Sequence, residues 1–137
     1  MRFLKSYSSH FPKEFFTSIE KNEKYAEIIL SAYHPIHVGV TSYVLSLLED
    51  YIWRCEENKN LFYFLKSYAK QEKYTYYLQP FAETLDTTDN ILMVYYHLKF
   101  INEILVATVN EKQKESLKDE MMNVKYGVIV ENIKAKL

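Results

Sequence analysis

Glycine is nearly missing from this chain of 137 residues: Gly39 and Gly127 are the only two, and proline is confined to Pro12, Pro35 and Pro80. An all-β fold needs many tight turns with positive φ, so this scarcity argues against one and leaves helices as the economical fold. Two glycines so far apart also cannot build GxGxxG or a phosphate-binding loop, which removes nucleotide enzymes of those types. Cys55 is the single cysteine. No intrachain disulfide can form, and a Lys-rich, Cys-poor chain suits a reducing compartment, read here as the cytoplasm. Arg54 would activate the Cys55 thiol, but Glu56 and Glu57 oppose it and the position continues an apolar stripe, so a structural cysteine is expected.

An excess of either charge is missing too. Seventeen Lys and Arg stand against eighteen Asp and Glu, for a net charge of −1. With no basic face to displace counterions from a phosphate backbone, no nucleic-acid partner is expected. The N-terminus lacks an apolar run of signal-peptide length before Lys13 and Glu14, so secretion by that route is not expected. From Ile28 to Leu48 no Asp, Glu, Lys or Arg occurs, over roughly the length that spans a bilayer. His34, Pro35, His37, Thr41 and Ser42 fall at or near its centre, where lipid offers polar groups no partner, so no membrane span is expected.

What is present has the balance of one folded domain over residues 1–137, with 48% hydrophobic and 26% charged residues. After Pro35, the series Ile36, Val40, Val44, Leu47, Leu48, Tyr51, Ile52 and Cys55 follows helical spacing, with Glu49, Trp53, Glu56 and Glu57 off the stripe. Proline disfavours helix in the residue before it and tolerates the first helical position, so His34 is expected to cap a helix starting there. Upstream, Phe15, Phe16, Ile19, Ala26, Ile29, Leu30 and Tyr33 form a stripe beginning near Pro12, with a break expected at residues 20–24. Downstream, Leu61, Leu65, Tyr68 and Ala69 share one side of a helix that Pro80 is expected to stop, leaving a short helical turn in PFAETL. Residues 86–90 are rich in capping types and open the next helix.

That helix, near residues 91–110, is apolar almost all round, which places it at the centre of a bundle or in an oligomer interface. Lys99, Asn102 and Glu103 trace its narrow polar stripe, with Lys99 and Glu103 one turn apart as an expected ion pair. A last segment, 111–135, carries Leu117, Met121, Val124 and Val128 at helical spacing, and Gly127 is where it would kink or split. The fold class predicted is all-α: a single-domain bundle of five to six helices with a largely buried central helix near 91–110.

Candidate chemistry is sparse. His34 and His37 flank a helix start, where the dipole disfavours a proton on imidazole and favours a neutral metal ligand. Zinc needs three or four ligands, however, and neither HExxH nor a paired Glu-x-x-His exists. A polar cap is the plainer role for the pair. His97 projects from an apolar face, beside Met93, Val94, Phe100 and Ile101. A buried imidazole needs partners, so it is expected to bond a core tyrosine, or alternatively to line a ligand pocket with Tyr95 and Tyr96. Tyrosine is the one compositional excess, with 13 copies, although abundant Tyr, Phe, Lys, Ile and Asn also fit a gene poor in G and C. Tyr74, Tyr76 and Tyr77 cannot all face inward, and Trp53 lies off its stripe, so an exposed aromatic surface is expected.

No cofactor is expected. The leading functional expectation is a non-catalytic module that binds a protein partner through Trp53, Tyr74, Tyr76 and Tyr77, with a homodimer among the forms it would take. The alternative is an internal small-ligand or metal pocket on His97 or on His34 and His37, and a membrane-associated protein ranks third.

Overall fold

A computed structural model describes residues 28–54 and 59–136 of the chain. Cys55, the start expected near Pro12 and the break expected at residues 20–24 lie outside the described residues. Among the described residues there is helix and no strand. Residues 28–31 are helical, and six helices follow: α1 (Val38–Arg54), α2 (Lys59–Gln71), α3 (Gln79–Thr87), α4 (Ile91–Ala107), α5 (Glu111–Asn123) and α6 (Tyr126–Lys136). The class is all-α as read from the sequence, with one or two more helices than expected.

Local chemistry explains most boundaries. The Asn90 side chain accepts from the backbone N–H of Leu92 and Met93 and opens α4, while Asn110 accepts from Gln113 and opens α5. Pro35 does not start α1 as expected. His34, Pro35 and Ile36 form a turn in which the His37 N–H reaches the His34 carbonyl, and the helix begins at Val38. The Thr41 hydroxyl donates to the same His34 carbonyl at 2.6 Å and fastens that turn to the first turn of α1. The uncharged stretch is thereby broken at 32–37, and no described helix is long and apolar enough to cross a membrane.

Pro80 also acts differently from expectation. The preceding helix has already ended at Gln71, where Tyr74 N–H reaches back to the Ala69 carbonyl at 2.7 Å and Lys73 takes φ 63. This is a Schellman-type end with lysine at the left-handed position usually filled by glycine. Pro80 instead sits inside the first turn of α3, where its missing N–H costs nothing. The break between α5 and α6 falls at Lys125, φ 58, rather than at Gly127, which lies within α6.

The most extensive helix pairing is between α1 and α4. Glu49 meets Lys99, and Trp53 meets Glu103, so both contacts join positions fifty residues apart and the two helices run in the same direction. The second helix packs on α1, and α3 packs on α4 and α6, with Phe81 against Phe100 of α4 at 5.2 Å. One core of buried side chains, including Leu30, Leu45, Leu65, Phe81, Phe100 and Ile101, runs through all of these and extends to Leu117 and Ile133. At roughly 1.5–3 kcal/mol for each large side chain removed from water, this core is the main force holding the helices together.

Candidate functional site

Deep between α1, α3 and α4 lies His97, with no exposed surface. Its Nδ1 is 2.7 Å from the Met93 carbonyl and its Nε2 is 2.7 Å from the Tyr33 hydroxyl. Tyr33 continues to Thr84 at 2.9 Å, and Thr84 to the Pro80 carbonyl at 3.0 Å. Carbonyls only accept, so this chain of four contacts needs four hydrogens, one of them on Nδ1. A neutral imidazole, a phenol and a threonine supply three. In the neutral state, then, one contact always lacks a proton: Nε2–Tyr33 while Tyr33 donates to Thr84, or a contact of Thr84 if Tyr33 turns its hydrogen onto Nε2; only the imidazolium completes all four. Burial works against that charge and holds the His97 pKa below its ordinary 6.5, opposed in part by the Met93 hydrogen bond. Burial likewise raises the Tyr33 phenol, with Thr84 lowering it. The partners of His97 are the Met93 carbonyl and Tyr33, which in turn bonds Thr84; Tyr95 and Tyr96, the alternative expected to line a pocket with it, are not among them. Tyr95 is exposed, Tyr96 is half-buried, and their two rings pack on each other at 5.4 Å.

The opposite side of α4 carries a different surface. Leu92, Tyr95, Lys99, Asn102 and Val106 recur at three- and four-residue spacing, and all are exposed. Lys99 and Glu103 do not pair with each other as expected. Each turns to α1: Lys99 reaches Glu49 at 3.3 Å, and Glu103 accepts from the Trp53 indole. The Trp53 side remains 56% exposed beside this row. The polar stripe read from the sequence is therefore a broader face on which aromatic and aliphatic groups alternate with charge.

The aromatic run at 74–77 divides between two clefts. Tyr74, half-buried, and Tyr77 line a cleft of about 530 Å³ with Lys66, Lys70, Lys73 and Ser116. Tyr76 lines the other, about 210 Å³, with Glu83, Asp86 and Lys125. The surface role expected of Tyr77 is corrected by its burial. Only 5% of it is exposed, it packs edge-on against Phe62, and Lys66 sits 5.7 Å over its ring. At the bottom of the larger cleft, Glu120 of α5 accepts from Leu78 N–H at 3.1 Å and from Tyr77 N–H, at the start of α3. Its pKa is raised by burial, which the two amides and Lys66 counter.

The two other described histidines stand apart from all of this. His34 and His37 are exposed, their rings 4.8 Å apart, at the turn before α1. Among the described residues no group of three or more His, Cys, Asp or Glu comes together to hold a metal ion.

No family model, curated protein or solved structure matches the chain.

The geometry thus brings Trp53 and Tyr95 to one face, which the sequence assigned to separate roles, and sets Tyr74, Tyr76 and Tyr77 around the far end of the molecule. Three residues of the buried and basic sites were missed in the sequence. Tyr33 had a visible signal, as the last member of its apolar stripe. Thr84 and Glu120 had none, because each acts through a partner distant along the chain.

Proposed function

We propose that the protein is a non-catalytic interaction module whose contact face is the outer side of α4 together with the end of α1. The observation that carries this reading is the exposed row of Leu92, Tyr95 and Val106 with Trp53 beside it. Rigid aromatic side chains of this kind supply contact area at low entropic cost, and Trp and Tyr are the residues that most often dominate binding energy. The ion pair of Lys99 with Glu49 and the bond of Trp53 to Glu103 support the same reading, since they fix the row between two helices before any partner arrives and lower the ordering cost of docking. A small regulator, inhibitor, immunity factor or adaptor would use such a face, and so would a homodimer. The inward side of His97 adds to this: both of its ring nitrogens are used within the core, which leaves no free ligating atom there.

The test is a W53A/Y95A double variant. Both side chains are more than half exposed, so the variant should fold as wild type by circular dichroism. It should lose partner capture from a lysate, and any self-association seen by sedimentation, by at least about tenfold, the 1.4 kcal/mol expected of an aromatic anchor pair. Undiminished capture would show that the partner docks elsewhere.

A further inference from the structure

The larger cleft has a charge pattern that the α4 face lacks. Lys66 and Lys70, four residues apart, leave α2 on one side, and Lys73, in the turn beyond the helix end, lines the same cleft. Ser116 of α5 and Tyr74 supply other parts of the wall, their hydroxyls already bonded to Tyr77 and Glu83, and Thr75 adds a further hydroxyl. Glu120 is the only carboxylate lining the space, and it is committed to the amides of Leu78 and Tyr77, with Lys66 as its cation. Lys70 and Lys73 enter no ion pair among the described residues. The lining itself carries three ammonium groups against one engaged carboxylate, with Glu72 and Glu83 close to Tyr74 at its edge, in a protein whose net charge is −1.

We propose that this cleft binds a small phosphate-type oxyanion, held by Lys70 and Lys73 with a hydroxyl donor from Thr75. Lysine is a common phosphate partner as a point charge, and the cleft has the volume of an ordinary small-molecule site. The backbone at Lys73 is a second, independent observation. The helix dipole explains a lysine in the last turn, as at Lys70. It does not explain a long side chain at φ 63, a conformation that glycine adopts without a clash. Lys125 has the same backbone conformation, φ 58, but lines the cleft that holds Glu83 and Asp86, and so provides a matched control.

Titration calorimetry with pyrophosphate at fixed low ionic strength tests the proposal. Wild type should bind saturably at one site. The K70A/K73A variant should bind at least about tenfold more weakly. Replacing Lys73 or Lys125 by glycine should raise the thermal midpoint in both cases, but only K73G should weaken binding, by about threefold or more. W53A/Y95A should bind pyrophosphate as wild type does, so this result stands apart from the fate of the contact face. The proposal is overturned if wild type shows no saturable binding, if K70A/K73A binds undiminished, or if K73G and K125G lose affinity equally. Citrate binding as tightly as pyrophosphate would overturn the phosphate-type assignment.

Discussion

A single imidazole decides more of the stability of this protein than its size suggests. His97 joins helix α4 to Tyr33 and, through it, to Thr84, so removing the Tyr33 hydroxyl takes from the buried Nε2 its partner and from the Thr84 oxygen its donor, leaving Thr84 only its bond to the Pro80 carbonyl. Tyr33→Phe keeps the ring packing against Phe81 and isolates that polar loss, which should cost about 1–3 kcal/mol in urea unfolding. The pH dependence has a definite sign. A histidine whose folded pKa is depressed contributes stability that is present above its unfolded value, 6.5, and is lost as pH falls through the lower folded value. Stability should therefore drop on the acid side of 6.5, and H97Q should remove that component. An unchanged acid limb in H97Q would mean that another group titrates there.

Among the elements, α3 is positioned by a charge from elsewhere in the chain. It has no side-chain cap of its own, and the Glu120 carboxylate from α5 does that work at its N-terminal amides, where the helix dipole also favours an anion. Because burial raises the Glu120 pKa above its ordinary 4.5, the group contributes most below that value and loses stability as pH rises through the folded value. Glu120→Gln keeps an accepting oxygen without the buried charge and should match or exceed wild type at pH 7. Glu120→Ala leaves both amides unanswered and should cost about 1–3 kcal/mol. Equal losses in the two variants would show that the charge itself, rather than the cap, is what matters. The contrast with α4 and α5 shows what was legible. Asn90 caps from the adjoining chain and was read directly, and Asn110, read as the end of the preceding helix, caps the next one from beside it, whereas the cap of α3 stands forty-two residues away. The end of α2 was obscure for a related reason, since lysine occupies the position where a glycine would have announced it.

For the whole molecule, composition and periodicity carried the all-α class and the core role of the inward side of α4, namely Met93, His97, Phe100, Ile101 and Ile104. They did not show which way its remaining apolar residues point. A helix that is apolar nearly all round reads as enclosed, and only the pairing with α1 on one flank and α3 on another reveals that Ile91, Leu92, Tyr95 and Val106 stay outside. The candidate face was half legible for the same reason: Trp53 could be read as off its stripe, but its neighbourhood with Tyr95 depends on how distant segments align. Because one hydrophobic cluster includes residues from α1 through α6, unfolding followed by Trp53 fluorescence and by far-UV circular dichroism should give coincident urea transitions. Trp53 reports the separation of α1 from α4, and a fluorescence midpoint well below the dichroism midpoint would show that this pair opens before the rest.

The same-direction alignment of α1 with α4 also governs how the protein is born. Glu49 and Trp53 of α1 must each wait for a partner that leaves the ribosome fifty positions later. At about 5–20 residues per second, that delay is roughly 2.5–10 seconds. During that interval the nascent chain holds Val44, Leu48 and Ile52 without their eventual cover, and the shelter available to it comes from the second and third helices as they are synthesised.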